Sequence, residues 1–412
     1  MKVCGIVAEY NPLHNGHLYH LRETKRISEA DYTIVVMGGN FMQRGTPAIM
    51  DKYERTRTAL SCGADLVIEL PSYYANGSAE YFAMGAVSLL DKLGVVDNIS
   101  FGSECGDTEL LDRIAHIIVE ESPTYQYYLQ SYLRSGQTFP AARSAAILQV
   151  CPELSASISL LTTPNNILGI EYIKSIIKQN SSIKPITLKR FGSDYHDRRL
   201  GINQSSATAL RQALWTGVSV LELQNQLPKA AYAIFTKYME QNPVMHLNDF
   251  SEILYYKLLS ERETGYEAYI DVSAALSDRI CNNLYKFDGF ESFCDLLKTK
   301  DITYTRICRC LLHILLNMRK DELDTYMNDL GITPYARVLG FRKDATPLFS
   351  EIDKHTCIPL VTKLADAHEQ LSEGAYNMLK KEILINDIYS SIRASKAKIP
   401  MFNEYSTPIV IV

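Results

Sequence analysis

The chain lacks any run approaching the roughly 20 apolar residues that a membrane span requires. Its opening, Met1-Lys2-Val3-Cys4-Gly5, carries neither the apolar stretch nor the small-residue cleavage site of a secretory leader. A soluble cytoplasmic protein is the expectation, with no membrane partner. Cysteine is present without a pattern. The nine residues are odd in number and scattered, and the close pair Cys308 and Cys310 lacks zinc-ligand spacing. No histidine pair completes a zinc set, so buried thiols in a reducing compartment are expected and no metal ligand is assigned. Positive charge is not in excess either: the formal net charge is -5. That excludes a polycation and gives no sign of a DNA-binding protein, yet a local basic face is enough to hold RNA. Internal repeats and low-complexity tracts are also missing. What is there is a globular composition, 46% hydrophobic and 22% charged, over 412 residues, more than one typical domain.

Strand and helix patterns alternate through the first third. Residues 3–8, 32–37, 66–70 and 96–101 are short apolar or β-branched runs and read as strands. Residues 17–29, 51–62 and 78–93 read as helices, the second capped by Asp51. Gly102-Ser103-Glu104 follows the fourth strand. Such alternation implies βαβ units, right-handed crossovers and a parallel sheet with flanking helices, an α/β Rossmann-like layer. Residues 107–180 are mostly helical, and Pro164-Asn165-Asn166 opens a helix running to about residue 178. Residues 186–189 read as another strand, ending at Arg190. A further helix starts at Ser205-Ser206-Ala207-Thr208-Ala209-Leu210-Arg211. Beyond Gly217 long amphipathic helices dominate, as at 249–259 and 303–318. The expected division is a Rossmann-like nucleotide-binding domain over 1–217 and a mainly helical domain over 218–412. Gly340-Phe341-Arg342-Lys343 and Pro347 read as a break, and 407–412 as strand-like.

The stretch Asn11-Pro12-Leu13-His14-Asn15-Gly16-His17 sits where the first strand meets the first helix. In an open parallel sheet, ligands lie beyond the carboxyl ends of the strands. The free N–H groups and dipole of the following helix favour phosphate oxygens there. Gly16 is expected to allow close backbone approach. His14 and His17 are three apart and share one face of the first turn. Both can donate hydrogen bonds to phosphate oxygens as charge builds in a transition state. Displacement at an α-phosphate needs no covalent intermediate, only positioning and charge stabilisation.

His14-Asn15-Gly16-His17 resembles the HxGH signature of the nucleotidyltransferase superfamily, and Ser205 to Arg211 resembles its second, ISSTxIR-type signature, with Ala207 interrupting the Ser-Ser-Thr run. The likeness goes further. Gly5 to His17, Met37 to Gly45, Gly63 to Pro71, Phe101 to Glu104, Pro164 to Leu168, Arg190 to His196 and Ala336 to Phe341 are all similar to the bacterial tRNA(Met) cytidine acetate ligases. The resemblance therefore spans essentially the whole chain. It implies that acetate is activated with ATP as acetyl-adenylate, with release of pyrophosphate. The acetyl group then passes to N4 of the wobble cytidine of elongator tRNA(Met), giving N4-acetylcytidine without acetyl-CoA. Two other readings use the same motif: an adenylyltransferase acting on a small phosphorylated metabolite, and a non-catalytic RNA-binding protein. The long helical second half argues against the first, and intact His14 and His17 against the second.

By resemblance His14 and His17 are catalytic, and the ATP is wrapped by Val7, Ala8, Glu9, Tyr10, Asn11, Pro12, Leu13, His14, Asn15, Gly16, His17, Leu18, Tyr19 and His20. Gly102, Asn165 (with Asn166 competing) and Arg190 complete the nucleotide contacts. Ser205, Ser206 and Thr208 cradle the triphosphate, with Arg211 beside them. Asn40, Gln43 and Arg44, after the second strand, are candidates for holding acetate or the cytosine edge; a structural turn is the equal alternative. Mg²⁺ is inferred from the triphosphate alone, with no protein ligand assigned. Candidate tRNA-binding groups are Lys189, Arg190, Arg198 and Arg199; Arg337, Arg342 and Lys343; and Lys380, Lys381, Arg393, Lys396 and Lys398. Tyr389 and Phe341 are placed to stack on bases.

Overall fold

The computed structural model describes residues 1–190 and 205–412. Its first strands and helices follow the sequence pattern: β1 (Val3–Ala8), α1 (Asn15–Ser28), β2 (Tyr32–Gly38), α2 (Lys52–Ser61), β3 (Leu66–Leu70), α3 (Ser72–Ala75), α4 (Ala79–Lys92) and β4 (Asn98–Ser103). Then come α5 (Thr108–Glu120), α6 (Pro123–Arg134), α7 (Phe139–Val150), α8 (Pro164–Lys178), β5 (Lys184–Lys189) and α9 (Ala207–Trp215). Asp51 caps α2 as expected, its Oδ1 accepting from the N–H groups of Tyr53 and Glu54 at 3.0 and 3.1 Å. The fourth strand starts later than its apolar run and includes Gly102 and Ser103.

Strands β5, β4, β1, β2 and β3 lie side by side in that order, all parallel. The order reverses about β1, so β1 and β4 flank the switch point where such sheets bind ligands. Both faces are covered. Along β2, Ile34 and Val36 enter one apolar cluster while Val35 and Met37 enter the other, the two-residue alternation of a strand buried on both sides.

The second half is mainly helical, including the helices Ser251–Ser260, Tyr304–Leu315 and Glu373–Ala397. It also extends the sheet. Strand β6 (Ala336–Phe341) runs antiparallel beside β3. Its far edge takes β7 (Leu360–Val361) beside Ala336 and Arg337, and β8 (Val410–Ile411) beside Gly340 and Phe341. The expected break at Gly340 is thus a strand interior. Glycine stands there because a Cβ would lie 2.5 Å from the Val410 carbonyl oxygen. The strand-like terminus is β8. Among the described residues, no helix is long and apolar enough to cross a membrane.

Candidate active site

Helix α1 begins at the carboxyl end of β1 with an unusual cap. His14 is the N-cap, with extended backbone (φ -119°, ψ 177°), and His17 is the third helical residue. The Gly16 N–H donates to His14 Nδ1 at 3.1 Å, and the His14 N–H donates to His17 Nδ1 at 3.2 Å. Two imidazoles thus play the parts that Ser and Glu play in an ordinary capping box. A ring nitrogen that accepts carries no proton, so each neutral ring bears its hydrogen on Nε2. The backbone thereby fixes both tautomers and leaves two Nε2–H donors. The rings stack with centroids 3.8 Å apart. A Cβ on residue 16 would lie 2.9 Å from His14 Cε1. Gly16 therefore makes room for the His14 ring, which is the close approach that matters here.

Burial, with the charges of Arg190 and Arg211 behind it, pushes His14 down to about 3. Burial, then His14 and Arg190, also pushes His17 well below its ordinary value. His20 falls to about 4 through burial and Arg190. At neutral pH these rings are uncharged donors, and the positive charge of the site belongs to arginine.

These histidines line one cavity of about 190 Å³ at the switch point. One end is polar. Ser206 caps α9, its Oγ accepting from the Ala209 N–H at 3.1 Å. Arg211 donates from Nη1 to the Asn11 carbonyl at 2.7 Å and from Nη2 to Thr208 Oγ1 at 3.2 Å, tying the second signature to the first. Asn11 accepts from the Ile49 N–H at 2.9 Å through Oδ1. Its Nδ2 is buried with no acceptor among the described residues, a donor that a bound oxygen would satisfy. The other end is apolar: Phe82, Phe101, Leu168 and Tyr172, with Gly102 and Asn165 beside them. Residues 165, 168 and 172 are spaced i, i+3, i+7 and form one face of α8. Arg211 at the start of α9 and Arg190 just past β5, together with neutral imidazole donors at the start of α1, suit a polyanion, and the apolar end suits a flat base.

The structure sorts the sequence candidates. Val7, Ala8, Glu9, Tyr10, Asn11, His14, His17 and His20 line the cavity; Pro12, Leu13, Asn15, Gly16, Leu18 and Tyr19 do not. Leu13 is packed into the core. Asn15 turns to the second half of the chain, donating from N to the Gln226 carbonyl at 3.1 Å and from Nδ2 to the Asn225 carbonyl at 2.8 Å. Ser205 lies behind the wall, where its N–H donates to Gln226 Oε1 at 3.0 Å, whereas Ser206, Thr208, Arg190, Arg211 and Gly102 line it. Of the two asparagines, Asn165 faces the cavity. Asn166 is buried, its Oδ1 accepting from the N–H groups of Glu104 and Cys105 at 3.0 and 3.2 Å. Gln43 and Arg44 line the cavity. Asn40 does not: it is buried, its Oδ1 accepting from the Lys52 N–H at 2.7 Å and its amide bonded to Asn386. That candidate is corrected to a structural turn.

The basic candidates divide likewise. Arg198 and Arg199 lie outside the described residues. Arg337 is corrected: it is 5% exposed and sits between β3 and the C-terminal segment. There it pairs with Glu69 Oε2 at 3.2 Å and Glu404 Oε1 at 2.6 Å, with Lys52 bridging the same carboxylates at 2.7 and 2.5 Å. Tyr389 and Arg393 are buried as well, the tyrosine donating to the Ala48 carbonyl at 2.9 Å and Arg393 paired with Asp51 at 3.0 Å. Both side chains are engaged within the fold. Lys381 is turned inward to the Asn317 carbonyl and Glu322. Phe341 packs on Phe349. Arg342 pairs with Asp344, Lys396 pairs with Asp249, and Lys189, Lys343, Lys380 and Lys398 are exposed.

A family model described as HIGH Nucleotidyl Transferase matches residues 1–402. A tRNA(Met) cytidine acetate ligase of Clostridium perfringens is 38% identical over 402 residues, 96% of each chain. One from a Thermoanaerobacter species is 43% identical over 393 residues, 95% of each. The chain belongs to the tRNA(Met) cytidine acetate ligase family. It is an enzyme of the nucleotidyltransferase superfamily. The ligase fold agrees with Thermotoga maritima TmcAL in an apo crystal form, at a TM-score of 0.94 and 31% identity over 100% of both chains. A second crystal form of that ligase, bound with alpha-thio ATP, matches at a TM-score of 0.90.

Proposed function

We propose that this chain activates acetate with ATP and transfers the acetyl group to N4 of the wobble cytidine of elongator tRNA(Met). The observation that carries the chemistry is the pair of imidazoles at the start of α1. Each Nδ1 accepts from a backbone N–H, which fixes both Nε2–H groups, and burial keeps both rings neutral. The family supplies the acid and the acceptor. An acetate oxygen attacks the α-phosphorus, and the bond to the pyrophosphate oxygen breaks. Negative charge moves onto phosphate oxygens, where His14, His17, Arg190 and Arg211 stand. These groups stabilise it without exchanging a proton or forming a covalent bond. The cytidine N4 amine then attacks the acetyl carbonyl, AMP leaves, and the amine loses one proton.

Mg²⁺ would arrive on the triphosphate, held largely by phosphate oxygens and water. Glu9 is the lone carboxylate among the described residues lining the cavity. Gln43 and Arg44 lie at the same mouth and are the acetate or cytosine candidates that survive. For tRNA, the exposed candidates among the described residues are Lys189, Arg190, Lys343, Lys380 and Lys398, beside the half-buried Arg342; Arg198 and Arg199 remain candidates outside the described residues. A cytoplasmic location follows from a tRNA substrate.

The test is nucleoside analysis of elongator tRNA(Met) incubated with the protein, ATP, Mg²⁺ and labelled acetate, with acetyl-CoA omitted. Labelled N4-acetylcytidine is expected, together with ATP–pyrophosphate exchange that requires acetate. Exchange indifferent to acetate overturns the reading.

A further inference from the structure

Glu104 follows β4 and has no place in the chemistry above, yet its carboxylate is fully engaged at the apolar end of the cavity. Oε1 accepts from the Asn165 N–H at 3.3 Å and from Asn165 Nδ2 at 2.6 Å. Oε2 accepts from the Asn166 N–H at 2.9 Å. In return, Asn166 Oδ1 accepts from the backbone N–H groups of Glu104 and Cys105. Glu104 thus acts as the missing cap of α8, whose N-cap Thr163 makes no side-chain hydrogen bond to the helix.

The clamp also has a polarity. A carboxylate can only accept, so the Asn165 side chain must turn its NH₂ toward Glu104 and leave Oδ1 for the cavity it lines. We infer that Glu104 is a specificity-determining positioning residue, which makes Asn165 present an acceptor to the exocyclic amine of adenine. This inference rests on the reading of the cavity as an ATP site.

The placement supports the assignment. The phosphate-binding groups stand at the end of β1 and the start of α1 and α9. Glu104 and Asn165 stand past β4, one strand spacing further along the sheet edge, roughly 4.8 Å. There Leu168 and Tyr172 extend the same helix face, and Phe101 packs on Tyr172 with ring centroids 5.5 Å apart to widen that wall. That is the end where a purine finds apolar walls, and its 6-position is the group that distinguishes the common purine nucleotides. Adenine carries an amine donor there; guanine and hypoxanthine carry a carbonyl acceptor, which would face Oδ1 with no hydrogen between them. Glu104→Gln reverses the logic. The glutamine oxygen takes the Asn166 N–H, its NH₂ faces Asn165 at the loss of the long 3.3 Å bond from the Asn165 N–H, and the Asn165 amide turns to accept from that NH₂ and to offer its own NH₂ to the base.

The experiment is equilibrium binding of ATP and of ITP to the full chain by calorimetry, for the wild type, Glu104→Gln and Asn165→Ala. Wild type is expected to favour ATP by about 10- to 100-fold, the scale of one well-placed hydrogen bond against an unpaired acceptor. Glu104→Gln is expected to bring the two nucleotides within about threefold or to reverse them, and Asn165→Ala to abolish the preference. A wild type that binds ITP as well as ATP overturns the inference without recourse to any variant. So does a folded Glu104→Gln that keeps the wild-type ratio, because a purely structural cap would weaken both nucleotides alike. Binding is measured without acetate. Discrimination intact in a protein whose exchange ignores acetate would therefore sustain the clamp and sink the ligase reading alone.

Discussion

Replacing His14 by asparagine separates the two tasks of this side chain. Asparagine is a strong N-cap, and its Oδ1 falls where His14 Nδ1 now accepts from the Gly16 N–H at 3.1 Å. The helix start is therefore kept. What disappears is the Nε2–H and the stacking on His17, whose rings are 3.8 Å apart. Losing the ring contact costs about 1 kcal/mol of stability. Losing one donor aimed at developing charge costs about 10²–10³ in turnover. In acetate-dependent ATP–pyrophosphate exchange, His14→Asn is expected to lower kcat by that factor, with KM for ATP changed less than about threefold. The pH profile gives a second check. Burial pushes the His14 imidazole down to about 3, so the ring stays in its donor form throughout the range above about pH 5. No acidic limb near pH 6.5 should belong to it. A wild-type limb near 6.5 that vanishes in the variant would refute the neutral-donor argument. So would a variant turning over within twofold of wild type.

Other substitutions probe neighbouring links. Gly16→Ala places a Cβ 2.9 Å from His14 Cε1, so the ring must turn; exchange should fall about tenfold or more, while urea unfolding keeps a single cooperative transition. Unchanged exchange would mean that the ring does not need its present orientation. Glu382 is buried between Ser72 and Glu69, and burial, then the Glu69 charge, pushes its carboxyl up to about 8. Its folded pKa lies above the unfolded value of about 4.3, so stability present below pH ~4.5 is lost progressively as pH rises toward 8. Glu382→Gln cannot ionise; its unfolding free energy should gain on the wild type between pH 5 and pH 8, and a constant gap across that range would defeat the argument.

The nucleotide-binding sheet was legible because its strands are continuous apolar runs and its helices are bounded by residues such as Asp51, Ser78 and Pro164. Strand β6 was hidden. Ala-Arg-Val-Leu-Gly-Phe contains a glycine and an arginine, and it pairs with a strand far back in the chain, which no local period records. The same long-range pairing made Arg337 look like a surface charge. Sequence cannot display that Glu69 and Glu404 converge on it. At the site, the two histidines announced a phosphate end, but their shared cap and fixed tautomers depend on the backbone N–H groups of His14 and Gly16. Glu104 sat in the matched Phe101 to Glu104 stretch with no assigned task, since its partners are about 60 residues away. The i, i+3, i+7 face of Asn165, Leu168 and Tyr172 was the one available clue to the apolar wall.

The pairing of β3 with β6 has a consequence during synthesis. Leu66–Leu70 leaves the ribosome as an apolar strand with one edge open, and the partner of Ile68 is Val338, about 270 residues downstream. At roughly 5–20 residues per second, that edge waits on the order of 15–50 s. Over that interval a sheet already able to form its parallel strands carries an open template for foreign strands. Lys52 and Glu69, destined for the interior, wait for Arg337 and Glu404 as well. A chain ending before residue 336 would leave the β3 edge without its sheet partner, because both that partner and the Arg337 and Glu404 charges come from the last fifth of the sequence.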